Sequence, residues 1–294
     1  MDKVKVKILG ISAAHRKGMN TAWLVQYALK AAEKTGRKLA EVATVETELL
    51  DLAGQTIKPC RNCEVRHMPN KGKPYEGMSP TVMGCPIKDD YMATVLAPKM
   101  KEADAFVFGS AVYGLSYTSQ FRLFSERVSP NMWQGAHRYK PAVAVSVGEM
   151  ALAGQETCLA DINRMINGSE MICASWYLGV PGVSGPPTGP VPSDKDYATR
   201  IGVKGHRYSQ WLAVMNGRRV AEMAIMIALA KQRLGDLFDR EFIKVCHPPH
   251  GSEPWSWRRL DKEDEEYMQK LPRAFTITKA AKAIQAEVEE DSGE

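Results

Sequence analysis

The sequence predicts a doubly wound α/β fold, with a parallel sheet of five strands between two helix layers. Three observations predict it. β-favouring runs alternate with helical runs from residue 4 to residue 234. Most of the β-favouring runs are apolar on both faces, as in AFVFG (105–109) and PAVAVSV (141–147), which is the signature of a strand buried on both sides. The chain has 294 residues, of which 44% are apolar and 25% charged, enough to bury a large core without disulfides.

Each element follows in order. The run VKVKILGI (4–11) reads as the first strand and ends at Ser12. A loop of small and basic residues, 12–20, opens a helix over 21–34, with Trp23, Leu24, Tyr27, Ala28 and Ala31 on one face and Gly36 as a stop. A second strand lies around 42–52. From 56 to 88 the pattern breaks into an insert holding Cys60, Cys63, Cys85 and five prolines; a loop this long is functional or disordered. Asp89 and Asp90 cap a helix running to 103. Strand 105–109, helix 117–128, strand 141–147, helix 154–166 and a fifth strand at 171–178 come next. The Pro- and Gly-rich stretch 180–192 reads as a loop, and a long helix covers 207–234. The expected organisation is an α/β domain at 1–234 and an extension at 235–294 that carries Trp255, Trp257 and the acidic end EVEEDSGE.

Composition excludes several functions. Lys plus Arg is 39 and Asp plus Glu 34, a net charge of +5 that is spread along the chain and calls for no nucleic-acid partner. No run of eighteen apolar residues exists, so no membrane-spanning helix is expected. The N-terminus runs straight into a strand with no signal-peptide core, so the cytoplasm is the expected compartment, where thiols stay reduced. Six cysteines are present, and a CxxC pair in that setting points to metal or redox chemistry.

Ligands of doubly wound folds bind beyond the carboxyl ends of the strands. The loop after strand one holds Ser12, His15, Arg16, Lys17, Asn20 and Thr21 and opens a helix, whose free N–H groups and dipole suit a phosphate. It matches neither GxGxxG nor a Walker loop, and the alternative is a simple capping loop with Asn20 as N-cap. The loop after strand three, Ser110-Ala111-Val112-Tyr113-Gly114, allows close backbone approach and offers one aromatic plane, although Tyr113 also fits a core-edge position. The loop after strand four, Ser146-Val147-Gly148, is again small and backbone-rich. One loop fits a phosphate and two fit a planar ring.

With these residues the chain resembles the flavodoxin-like NAD(P)H-dependent FMN reductase family and, within it, the iron–sulfur flavoprotein branch, over residues 4–230. Ser12 to Thr21 is similar to the family's S-x-R-x-x-S-N-T loop, with Gly18-Met19 departing from the serine. Residues 110–114 followed by Ser119-Gln120-Phe121-Arg122 resemble S-P-V-Y…S-G-x-x-K, with Ala111 for the proline and Arg122 for the lysine. Cys85-Pro-Ile-Lys-Asp89-Asp90 resembles C-x-x-x-D-D, and Gly154-Gln155-Glu156 resembles G-G-Q-E. The resemblance implies non-covalent FMN, with its phosphate on Ser12, Arg16, Asn20 and Thr21. The rest of the flavin would lie along Ser110, Val112, Tyr113 and Gly114 and along Ser146, Val147 and Gly148. It implies an oxidoreductase that passes electrons from NAD(P)H to a flavin, quinone or other small acceptor, built as a homo-oligomer, dimer or tetramer. The alternative it offers is an electron carrier between redox proteins, with a [4Fe–4S] cluster.

The cysteine loop leaves three readings open. The branch resembles C-x2-C-x2-C and a fourth cysteine before the acidic pair; here Cys60 and Cys63 are present, Arg66 stands at the third position, and 21 residues separate Cys63 from Cys85. A [4Fe–4S] cluster wants four thiolates, so a fourth ligand such as His67 is needed. A Cys3His zinc site is the second reading. Free thiols in a remodelled loop are the third. Cys158 and Cys173 fall on core patterns and read as buried, inert thiols, and Cys246-His247 before two prolines reads as a turn.

Overall fold

A computed structural model describes residues 2–61, 85–128, 136–184, 202–243 and Glu266. The chain divides into a compact unit, Met1–Pro249, and a second, His250–Glu294. The readings made for Cys63, His67, Cys246, Trp255, Trp257 and the acidic end lie outside the described residues.

Strand β1 (Val4–Ala13) pairs in parallel with β2 (Ala43–Asp51) on one side and β3 (Ala105–Tyr113) on the other. β3 carries a two-residue antiparallel partner, β4 (Ser116–Tyr117), and pairs in parallel with β5 (Pro141–Gly148). On the far side of β5 lie β6 (Ile172–Cys173) and β7 (Val180–Val183), both parallel to it. The order β2-β1-β3-β5-β6 is that of the flavodoxin-like doubly wound sheet.

The strands are apolar on both faces because both faces are covered, and the two-residue period sorts their side chains. Val4, Val6, Ile8, Val107, Val143 and Val145 join the core under α1 (Asn20–Lys38) and the long C-terminal helix, labelled α5 (Arg207–Leu234). Leu9, Ile11, Phe106, Phe108, Ala142 and Ala144 join the opposite core. That side holds α2 (Ala97–Glu102), which a π-helical turn Met92–Leu96 precedes, α3 (Ser119–Val128) and α4 (Gln155–Gly168). No helix among the described residues is long and apolar enough to cross a membrane.

Several expectations are corrected. Gly36 does not stop α1; it sits inside the helix where a Cβ would come within 2.6 Å of the Val45 side chain, so close helix–strand packing explains the glycine. The fifth strand is not continuous over 171–178. It pairs at Ile172–Cys173, loops out through Trp176 and Tyr177 (φ 53°), and resumes at Val180–Val183, a stretch expected to be loop. Proline is tolerated there because Pro181 lies on the edge strand of the sheet. Cys158 is buried as expected, and burial pushes its thiol up to about 12. Cys173 is only half-buried and donates to Asn163 Oδ1 at 3.3 Å.

Candidate functional site

The carboxyl ends of β1, β3 and β5 stand level with one another. Ser110 is in register with Ala13 on one side and Ser146 on the other, and Ser12 pairs with Gly109. The three loops read from the sequence therefore leave the sheet side by side.

Internal hydrogen bonds fix each loop. Ser110 Oγ donates to Ala111 O at 2.9 Å and accepts from Thr118 N at 3.0 Å. Thr118 Oγ1 donates to Ala13 O at 3.1 Å, which ties the first loop to the second. Tyr113 to Ser116 closes a tight hairpin, with Gly114 and Leu115 both at positive φ (57° and 65°), the conformation of a type I′ turn. Gln155 staples the loop after β5: its Oε1 accepts from Ala153 N at 2.8 Å, and its Nε2 donates to Met150 O and Gly182 O. Ser146 Oγ donates to Gln155 O at 3.3 Å. Gly154 (φ 96°) begins α4 and packs against the backbone of Leu115, so the second and third loops touch.

The first loop is braced from β2. Asp51 accepts from Gly18 N at 2.7 Å and from Ala53 N at 3.2 Å. Met19, not Asn20, occupies the N-cap position of α1. Asn20 Oδ1 accepts from Val203 N at 3.3 Å and so binds the start of α1 to the 3-10 turn before α5. Thr21 is buried, and Gly109 faces it closely: a Cβ there would meet Val25 at 2.4 Å and Thr21 at 3.3 Å. Arg16 and Lys17 are exposed.

Two features of this edge remain available to a ligand. Ser12 Oγ is buried with no hydrogen-bond partner among the described residues. A buried hydroxyl is normally satisfied, so an orphan at a helix-opening loop fits an absent acceptor such as a phosphate oxygen. The second is Tyr113, 42% exposed, whose ring stacks on His15 with centroids 5.3 Å apart and planes at 19°. His15 Nε2 also lies 3.4 Å from Ser119 Oγ. Val112 is half-buried, Gly114 has nothing within 4 Å of a hypothetical Cβ, and Val147 and Gly148 are buried. At this edge Ser12 and Thr21 are buried and Tyr113 and Gly114 exposed, while Ser110 Oγ, Ser146 Oγ and Asn20 Oδ1 are engaged by the chain itself. Sequence reasoning missed Thr118, Gln155 and Asp51. Only Gln155 had a signal, as part of the GQE motif.

The cysteine segment is anchored elsewhere. Arg127 of α3 is buried and pairs with buried Asp90 at 2.6 Å. The same guanidinium donates to Lys58 O at 3.0 Å, and Asp90 accepts from Lys58 N at 2.9 Å and Ala93 N at 3.0 Å. Tyr91 N donates to Thr56 O, and Lys58 Nζ pairs with Asp89 at 2.6 Å. Chain on both sides of the insert is therefore clamped together. Cys60 and Cys85 are half-buried near the clamp; among the described residues no three His, Cys, Asp or Glu side chains form a metal site.

Residues 6–179 match the model of the NADPH-dependent FMN reductase family. An iron–sulfur flavoprotein of Methanocaldococcus jannaschii is 32% identical over 167 residues, 57% of this chain and 75% of that protein. An iron–sulfur flavoprotein of Methanosarcina thermophila is 27% identical over 168 residues, 57% of this chain and 76% of that protein. A solved structure of RosB with a bound 8-demethyl-8-formylriboflavin-5'-phosphate intermediate superposes with a TM-score of 0.53 at 15% identity, over 87% of this chain and 96% of that one, and supports the fold.

Proposed function

Because the chain belongs to the NADPH-dependent FMN reductase family, in its iron–sulfur flavoprotein branch, and is an FMN-dependent oxidoreductase, we propose that the carboxyl-edge loops hold the FMN and that electrons pass from NAD(P)H to a flavin, quinone or other small acceptor. The observation that carries this reading is the orphaned Ser12 hydroxyl beside the opening of α1; the exposed Tyr113 ring lies further along β3, beyond Ser12's register partner Gly109.

When bound, FMN supplies the hydride and electron chemistry that no amino-acid side chain provides. The chain's residues do the rest. The first-turn N–H groups of α1 have no intrahelical partners and carry the positive end of the helix dipole, so they attract a phosphate. The unpartnered Ser12 hydroxyl would add a donor and the exposed Arg16 a cation. Gly114, without a side chain, lets the hairpin backbone approach a ring edge. Tyr113 covers the mouth and shields it from water when a flat acceptor stacks there. The Gln155 staple holds the 149–154 loop through its bonds with Ala153 N, Met150 O and Gly182 O. No side chain is assigned as a general acid or base.

The test is titration of purified apoprotein with FMN, followed by steady-state oxidation of NADH and NADPH with several acceptors. Saturable FMN binding weakened at least tenfold by Ser12→Ala, with turnover in the loaded protein, is the expected result. Failure to bind FMN would remove the reading. The exposed apolar rim of Met19, Leu115, Met150 and Leu152 favours assembly as a dimer or tetramer around the mouth, which light scattering measures.

A second reading, an electron carrier with a cluster at Cys60, Cys63 and Cys85, is favoured by the names of the two relatives and by the clamp that closes the insert. Iron and sulfide analysis of anaerobically purified protein separates it from the first. About four irons per chain, lost in Cys60→Ser, supports it; absence of iron overturns it.

A further inference from the structure

The opposite end of α1 carries a feature that the flavin chemistry does not use. Between the C-terminal half of α1 and the middle of α5 lies a groove of about 610 Å³. Leu39 and Val214 give it apolar lining, and so does Tyr27, whose ring stacks on Trp23 with centroids 4.9 Å apart. The rim of the groove is cationic. Lys30 and Arg37 are both paired with Glu33, and Arg218 is paired with Glu222. Lys34 and Lys38 line the groove, are exposed, and have no acidic partner among the described residues.

Two cations without a carboxylate partner among the described residues, beside apolar lining, make a mixed surface. The groove's volume suits a small organic molecule. The helix C-terminus adds a negative dipole end, which Arg37 and Lys38 in the last turn offset. At 1.5 Å per residue, Lys34 and Lys38 lie about 21 and 27 Å along the axis from Asn20, so a ligand here does not touch the flavin edge.

We propose that this groove binds an organic anion with a flat apolar body, of the nucleoside-phosphate class. Lys34 and Lys38 take the phosphate groups, Tyr27 takes the flat ring, and Leu39 and Val214 supply apolar lining. Charge complementarity selects the anion, and the ring and lining select against a bare inorganic ion. This site is separate from the flavin site and stands whether or not that site is placed correctly.

The experiment is calorimetric titration of the protein as purified, preincubated with saturating FMN, using metal-free ADP and, in parallel, inorganic pyrophosphate. The expected result is saturable ADP binding that weakens as salt is raised, and pyrophosphate binding at least tenfold weaker than ADP. The double variant Lys34→Glu/Lys38→Glu should lose at least tenfold in ADP affinity while its circular dichroism spectrum is unchanged. Tyr27→Leu should weaken ADP and leave pyrophosphate as it was. No saturable ADP binding, or ADP binding unchanged in the double variant, overturns the site. Pyrophosphate binding as tight as ADP overturns the ligand class.

Discussion

The carboxyl-edge loops and the cysteine insert are both held by buried hydrogen bonds, but the bonds are distributed in opposite ways. In the loops they run throughout: Thr118 joins Ala13 to Ser110, Gln155 ties 150, 153 and 182 together, and Gly154 packs on Leu115. In the insert the described bonds gather at the two ends, on one buried ion pair. The difference teaches that a fixed site can be built from many small contacts along short loops or from one strong contact that closes a long one. The second kind is more easily broken by a single change.

The largest effect is therefore expected at Arg127. Arg127→Met leaves the Asp90 carboxylate buried without its cation and should cost about 3–5 kcal/mol in urea unfolding. The double variant Arg127→Met/Asp90→Asn should recover part of that loss. Equal stability of the single and double variants would show that the clamp is not one coupled unit.

Acid gives a reference that belongs to neither region. His137, buried just before β5, has its pKa lowered by burial, with Lys140 nearby, from 6.5 to about 3. The unfolded chain binds the proton more tightly, so this contribution is complete above pH 6.5 and is lost as pH falls towards 3. From 6.5 to 5 the loss is about 2 kcal/mol, and His137→Gln should flatten it. An acid limb that His137→Gln leaves unchanged assigns the sensitivity to another group.

Within the loops single changes should cost less. Gly154→Ala forces a Cβ to 2.5 Å from Leu115 O at a positive φ, and about 1–3 kcal/mol of destabilisation is expected. Thr118→Val removes the side-chain bonds to Ala13 O and from Phe121 N and keeps the backbone bond to Ser110 Oγ, at a cost of about 1–2 kcal/mol. If either exceeded Arg127→Met, the contrast between distributed and concentrated support would fail. The smallest effect on stability is expected at Tyr113. Tyr113→Ala should change the unfolding free energy by less than about 0.5 kcal/mol, because the ring is exposed, while raising KM for a flat acceptor.

Legibility in the sequence follows the same contrast. The both-sides-apolar runs named β3 and β5 correctly, and the long helix begins and ends at 207 and 234 as read. The fifth strand was misread because SWYLG (175–179) favours strand locally, whereas pairing with β5 resumes only at Val180 through a Pro-Gly stretch that reads as loop. The hydroxyl-rich loops were legible as a place, but not in detail. Composition does not say that Ser110 and Ser146 turn inward to bond the chain while Ser12 is left unpartnered. Arg127 was invisible because its partner lies 37 residues away and nothing local marks a buried arginine.

The clamp between Lys58, Asp90 and Arg127 also bears on how the insert could change over evolutionary time. Once two ends are fastened, the entropy of closing the chain between them grows only with the logarithm of its length, by about 0.6 kcal/mol for each doubling. Material can be added, removed or exchanged between those ends while the fastening itself is kept. The insert is in this sense a cassette: its length can change while Lys58, Asp90 and Arg127 keep its ends together.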